Sequence, residues 1–169
     1  MIRDGKIKDA EQIANIKIEN YKKTYANIFS DEFLSNMNIE EEKEKYINGL
    51  KNRKVLVYYD DDKILGYIYY GKRKNHKEIL PTYDGEIYAI YVNINFKNKG
   101  IGTQLIKSAL NDLIKECKKI ILWCMSDNHE SIEFYKKRSF KEVDKVKVNI
   151  GGNYLYESAL TFDFQESNN

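Results

Sequence analysis

Apolar and polar positions follow two distinct periods along this 169-residue chain, one helical and one strand-like. Ile13, Ile16, Asn20-Tyr21 and Thr24-Tyr25 recur at helical steps, with Asp9 and Gln12 ahead of them resembling a capping box. A second helical stretch is expected from Ser30-Asp31, carrying Phe33, Leu34 and Met37, then a charged run, and ending near Leu50. Its acidic stretch 40–44 reads as a solvated helix face rather than an amine-attracting patch. Branched and aromatic runs at 55–59 and 64–70 flank Asp60-Asp61-Asp62-Lys63, which predicts a hairpin, and 86–92 is a third strong strand. Gly100-Ile101-Gly102 opens a helix with Leu105, Ile106, Ala109, Leu110, Leu113 and Ile114 on one face. A short buried strand covers 120–124, and a helix from near Asn128 presents Ile132 and Tyr135. Val146, Val148 and Ile150 alternate up to Gly151-Gly152, and Tyr154, Tyr156, Leu160 and Phe162 alternate beyond it, the pattern of a tight hairpin. The predicted architecture is α/β (α+β): a mixed sheet of about seven strands with four helices and one crossover unit.

The length suits one compact domain over 1–169. With 28 basic against 26 acidic side chains, the net charge of +2 argues against a binder of duplex nucleic acid. No apolar run is long enough to span a bilayer, and Met1-Ile2-Arg3-Asp4-Gly5-Lys6 lacks a secretory leader's apolar stretch, so a cytoplasmic location is expected. Cys117 and Cys124 lack metal-ligand spacing and read as reduced core thiols. His76 sits in a lysine-rich loop and His129 at a helix start, so neither suggests a base or a metal ligand, and no metal is expected. Heavy use of Lys, Asn, Ile and Tyr with a single Pro suggests an AT-rich bacterial source.

The most informative stretch is Asn93 to Thr103, where a strand ends, a short loop turns, and Gly100 and Gly102 feed an amphipathic helix. Main-chain N–H groups at a helix start suit a pyrophosphate, and glycine lets the backbone approach it closely. Lys97 and Lys99 add cationic donors beside it. A P-loop is excluded because Thr103-Gln104, not Lys-Ser/Thr, follows Gly102. A dinucleotide fingerprint needs a third glycine where Leu105 stands. A glycine turn that merely starts a helix stays open on this segment alone.

Lys97-x-x-Gly100-x-Gly102 resembles the Gln/Arg-x-x-Gly-x-Gly/Ala signature of the GCN5-related N-acetyltransferases (GNAT). The strand 86–92 is similar to the one that precedes this loop in the family. Asn128-x-x-Ser131-x-x-Phe134-Tyr135-x-x-x-Ser139-Phe140 resembles its Asn-x-x-Ala-x-x-Phe-Tyr-x-x-x-Gly-Phe segment. Gly66 lies where the family often has glycine, and the order of elements agrees over nearly the whole chain. Lys97, Ser131 and Ser139 depart from the pattern; Ser139, where glycine is usual, is expected to strain a helix-ending turn.

The resemblance implies an acyltransferase that moves the acetyl group of acetyl-CoA onto an amine by direct attack in a ternary complex. An alkylammonium has a pKa of about 10.4, so a base must take its proton. The implied base is Glu86, acting directly or through water, with an exposed strand-end glutamate as the equal alternative. Tyr135 is the implied acid, since a phenol near pKa ~10 can protonate a thiolate whose acid lies near ~8.5. The resemblance favours that role over a core aromatic. Residues Lys97, Asn98, Lys99, Gly100, Ile101, Gly102 and Thr103 are expected to hold the cofactor's pyrophosphate, with Asn128 near its pantetheine arm or capping a helix. Backbone N–H groups around Tyr91 and Val92, where two parallel strands splay in the family, are the implied oxyanion donors.

For the acceptor, Tyr21, Tyr25 and Phe29 fall in the segment that shapes the family's acceptor groove, and Tyr154 with Tyr156 is expected to close its other side. Aromatic lining favours a small amine or polyamine, because ammonium groups favour ring faces. A peptide N-terminus, a non-catalytic acyl-CoA sensor and a homodimer through the final strands remain open alternatives.

Overall fold

The computed structural model describes residues 1–73 and 83–165; His76 and the tail after Gln165 lie outside them. The strands are β1 (Ile2–Asp4), β2 (Lys54–Asp60), β3 (Lys63–Lys72), β4 (Gly85–Val92), β5 (Lys119–Met125), β6 (Lys141–Ile150) and β7 (Asn153–Asp163). The helices are α1 (Ala10–Thr24), α2 (Asp31–Ser35), α3 (Ile39–Leu50), α4 (Ile101–Leu113) and α5 (His129–Lys136). The strands form one seven-stranded sheet in the order β1-β2-β3-β4-β5-β7-β6. β4 and β5 run parallel, as a β4–α4–β5 crossover requires, and the β1/β2, β2/β3, β5/β7 and β6/β7 pairs are antiparallel. Contacts divide the chain into two compact units, Met1–Tyr70 with Ala89–Asn111 and Gly71–Tyr88 with Asp112–Asn169.

The first unit is built on the β2/β3 hairpin. Its turn places Asp61 at φ 49°, a left-handed conformation that Asp tolerates. Ala10, Ile13 and Ile16 of α1, Tyr46 of α3, Val55 and Val57 of β2, and Ile64 and Tyr67 of β3 form one buried cluster. Successive strand residues face opposite ways. Tyr67 therefore meets this cluster, while a Cβ on the neighbouring Gly66 would meet Ile101 and Leu105 of α4. Of the expected stripe, α4 buries Leu105, Ile106, Ala109 and Leu113 and leaves Leu110 half-buried, while Ile114 lies beyond its end and is exposed.

Three local expectations need correction. Asp9 does not cap α1: its carboxylate accepts two bonds from the Arg3 guanidinium (2.7 and 2.8 Å) and one from the Lys6 N–H (2.8 Å). Gln12 instead joins α1 to the hairpin, donating to Asp62 O and accepting from the Ile64 N–H. The expected second helix is two, which makes five α-helices among the described residues rather than four. Ser30 caps α2 through the Phe33 N–H, and Asn38 restarts the chain as α3 by accepting from Glu40 and Glu41 N–H. The acidic run is not all solvated either. Glu42 is buried and held by the ammonium groups of Lys17 (2.5 Å) and Lys45 (2.7 Å).

The second unit centres on β5, whose Ile120, Ile121 and Leu122 are fully buried. The β6/β7 ladder runs from Lys141↔Thr161 to Ile150↔Asn153. Gly151 and Gly152 both take positive φ (57° and 84°), the turn geometry that a two-residue hairpin loop demands. A chain of rings, Phe134, Tyr135, Phe140, Phe162 and Phe164, runs from α5 onto β7 with successive centroids 5.1–5.7 Å apart. Cys117 and Cys124 are buried free thiols, and burial pushes the Cys124 thiol up to about 12. No helix among the described residues is long and apolar enough to cross a membrane.

Candidate functional site

The glycine segment takes the shape that an anion cradle needs. After β4, Asn93 donates its N–H to Leu65 O (2.8 Å), and its side chain caps a short 3-10 turn over Ile94–Phe96. The chain then extends through Lys97 and turns back with Asn98 at φ 62° and Gly100 at φ 76°. Gln104 N–H donates to Gly100 O (3.0 Å) as the helix begins. The amides of Ile101 and Gly102 precede that bond, at the positive end of the α4 dipole. A Cβ built on Gly100 would meet nothing within 4 Å, so this side of the turn is open. Asn98, Lys99, Gly100 and Thr103 are exposed, while Lys97 and Gly102 are half-buried. The Lys99 ammonium sits 4.8 Å over the Phe96 ring. Open space, left-handed backbone, helix-start amides and two lysines together fit a pyrophosphate.

In the same unit the β4 end is tied to α1. Asn20, buried on the apolar stripe of α1, donates to Ile16 O (2.8 Å) and to Val92 O (3.0 Å). Sequence reasoning placed Asn20 on the buried face without giving it a task. An amide in an apolar stripe was the available signal. The Tyr91 ring lies 5.6 Å from that of Tyr67. Tyr21, Tyr25 and Phe29 do come together, with centroids 4.9–6.3 Å apart. Tyr25 and Phe29 are buried, however, so their rings pack, and only Tyr21 is half-buried.

The second unit carries the remaining candidates. Glu86 is not an exposed strand-end residue: it is 8% exposed, and its Oε2 lies 3.8 Å from Nε of Arg73. Sequence reasoning missed Arg73, because nothing local pairs it with a residue thirteen positions on. Asn128 caps α5 by accepting from the Ser131 N–H (3.1 Å). Tyr135 is 7% exposed, with its ring against Phe134 and Phe140. Tyr154 is 69% exposed and lies under the Lys147 ammonium (4.7 Å), and Tyr156 is exposed as well. The β4/β5 ladder runs from Gly85↔Ile120 to Ile87↔Leu122 and, among the described residues of this unit, does not reach Tyr88 and Trp123. No group of three His, Cys, Asp or Glu side chains among the described residues could hold a metal ion.

Comparison with known proteins bears on this arrangement. The model of the acetyltransferase (GNAT) family matches residues 18–140. An uncharacterised N-acetyltransferase of Bacillus subtilis, YuaI, is 26% identical over 94% of this chain and 90% of its own length. A spermidine N(1)-acetyltransferase of Thermoplasma acidophilum is 28% identical over 85% of this chain and 89% of its own. Among solved structures, the PaiA N-acetyltransferase of Thermoplasma acidophilum in complex with coenzyme A superposes with a TM-score of 0.70 at 24% identity, covering 93% of this chain and 96% of that one.

Proposed function

Because the chain belongs to the acetyltransferase (GNAT) family, an N-acetyltransferase family acting on acetyl-CoA, we propose that residues 1–169 form one domain that acetylates a primary amine by direct attack in a ternary complex. The observation that carries the cofactor side is the open left-handed turn at Gly100 ahead of α4. Residues 97–103 bind the pyrophosphate through main-chain N–H groups and the two lysines, which supply charge complementarity without contributing to chemistry.

Transfer makes one C–N bond, breaks one C–S bond, takes two protons from nitrogen and gives one to sulfur. Glu86 takes the ammonium proton, directly or through water, and its pairing with the Arg73 guanidinium suits the carboxylate form that a base requires. Backbone N–H groups around Tyr91 and Val92 meet the carbonyl oxygen as charge gathers on it. Tyr135 gives its proton to the departing thiolate and is restored by the second proton that nitrogen loses, passed on through solvent. Asn128 keeps its capping bond and presents its amide to the pantetheine arm.

A small amine or polyamine is the favoured acceptor, supported by the half-buried Tyr21 ring and by a relative named for spermidine. A thiol-release assay with acetyl-CoA against polyamines, amino sugars, amino acids and peptides tests the reading. Turnover with at least one small amine is expected. Tight coenzyme A binding with no thiol release across the panel would leave a sensor and remove the enzyme.

A further inference from the structure

The ladder registers of the second unit place Glu157 and Trp123 on one face of the sheet with Glu86. Opposed residues of paired strands share a face, and so do residues two apart along a strand. Glu86 pairs with Ile121, and Ile121 with Thr161; Trp123 pairs with Ala159, and Met125 with Glu157. α5 lies on the other face, because its Tyr135 ring leads through Phe140 to Phe162, which alternates with Thr161. Two strand spacings and four residue steps separate Glu86 from Glu157, roughly 16 Å across the sheet, with Trp123 midway.

Glu157 is half-buried in an apolar frame. Met125 and Val146 oppose it on either side, and Leu155 and Ala159 flank it along β7. Lys145 and Lys147, the nearest lysines of β6, oppose Ser158 and Tyr156 and so belong to the other face. Among the described residues no hydrogen bond or ion pair engages the Glu157 carboxylate. Burial is the cause acting on it and pushes its pKa above the ordinary carboxylate value. The contrast with Asp9 and Glu42 is plain, since each of those buried carboxylates is held by cations of its own. Trp123, the single tryptophan, is half-buried on β5, and no ring contact or hydrogen bond among the described residues involves it. It is the diagonal cross-strand neighbour of Glu157, a separation of about 7–8 Å that long side chains bridge. A desolvated carboxylate without a counter-charge is costly to keep. Beside an indole face it is the complement of an alkylammonium.

We propose that Glu157 and Trp123 seat a second, non-reacting ammonium of the acceptor, which makes the acceptor a di- or polyamine whose reacting nitrogen is served by Glu86 on the same face. The inference rests on the acetyltransferase reading for the ligand being an acceptor, and it adds the substrate class and the residues that select it. The bound cation supplies the counter-charge that the apolar frame withholds, and the indole offers it a ring face.

The test titrates spermidine and butylamine calorimetrically into the coenzyme A-loaded wild type and the variants Glu157→Gln and Trp123→Phe, with the emission of the single tryptophan followed in parallel. Wild type is expected to bind spermidine about tenfold or more tighter than butylamine, the scale of one charge-assisted hydrogen bond. Spermidine, and not butylamine, shifts the tryptophan emission. Glu157→Gln removes both the preference and the shift, and Trp123→Phe weakens spermidine a few-fold. Because it deletes an uncompensated charge, Glu157→Gln also keeps a urea midpoint at or above wild type. Equal wild-type affinity for the two amines, wild-type spermidine affinity in either variant, or an emission that spermidine leaves unmoved overturns the proposal. So does a Glu157→Gln midpoint well below wild type, which would reveal a structural partner for the carboxylate. Thiol release from acetyl-CoA keeps the two readings apart. Glu157-dependent spermidine binding without thiol release sinks the enzyme and leaves the seat, while transfer to spermidine with unaltered KM in Glu157→Gln sinks the seat alone.

Discussion

Gly66→Ala offers a measurement of how tightly β3, the end of β4 and the start of α4 are fitted. A Cβ at this position would lie 2.9 Å from the Tyr91 carbonyl oxygen, 3.2 Å from Cγ2 of Ile101 and 3.2 Å from Cδ1 of Leu105. The two side-chain atoms can rotate aside. The carbonyl cannot, because it belongs to a strand held by its ladder. Contact between carbon and oxygen normally begins at about 3.3 Å, so the overlap is roughly 0.4 Å against backbone. Overpacking of this kind costs about 1–3 kcal/mol, and the lower unfolded-chain entropy of alanine returns somewhat less than 1 kcal/mol. A net loss of about 1–2 kcal/mol is expected, which lowers the melting temperature by roughly 3–6 °C for a chain of this size. Urea unfolding followed by circular dichroism reads it directly. Adding Ile101→Val should not rescue the variant, since the obstacle is main chain. A midpoint equal to or above wild type would refute the reasoning.

Four further outcomes follow from single residues. Tyr135→Phe should lower turnover about a hundredfold, the low end for loss of a general acid, while calorimetric coenzyme A affinity stays at the wild-type value. Gly100→Glu should weaken coenzyme A more than tenfold in the same calorimetry, with Gly100→Ala as the control that carries only the strain of a residue at φ 76°. Ser139 stands at φ 65°, where glycine is at ease, so Ser139→Gly should raise stability by about 1 kcal/mol in urea. For Asp9, burial works to raise the pKa but the Arg3 and Lys6 hydrogen bonds hold it below the ordinary value. Its contribution is therefore complete above the unfolded value of about 3.9 and is lost as the pH falls through the lower folded value. In Arg3→Met, burial acts with less opposition, and urea midpoints measured from pH 3 to 7 should lose that acid dependence.

Elements specified by their own period were legible in the sequence: the β2/β3 and β6/β7 hairpins, the α4 stripe, and the pair Ile132 and Tyr135 buried on α5. The break between α2 and α3 was not, since Met37 and the charged run continue a helical pattern across it, and only the capping by Asn38 reveals the restart. Partnerships over distance were hidden for a different reason. Asp9 could be an N-cap or an ion-pair partner until Arg3 is placed, and Glu86 could be exposed until Arg73 is placed. For Glu42 a signal existed: it precedes the buried Tyr46 by one helical step of four residues and so shares its face. A run of glutamates masked that periodicity.

Tyrosine poses the hardest discrimination, because a chain with fourteen of them offers no compositional reason to prefer any one. What separates them is the company of the hydroxyl. The Tyr46 hydroxyl donates to Lys6 O and that of Tyr88 to Lys72 O, so each closes a local backbone contact and has its work accounted for. The Tyr154 and Tyr156 rings lie in solvent beneath lysines of the neighbouring strand, where cation–π contact with Lys147 and Lys145 explains them. Tyr25 is a buried ring packed on Phe29. Tyr67 belongs with Tyr25: it is 1% exposed, and its ring packs against those of Tyr69 and Tyr91. A core that needed only volume at this position would be served by phenylalanine, which fills the same space without an oxygen to satisfy. Tyr67→Phe is therefore expected to cost the fold little, and a urea midpoint well below wild type would show that the oxygen has work to do in the core.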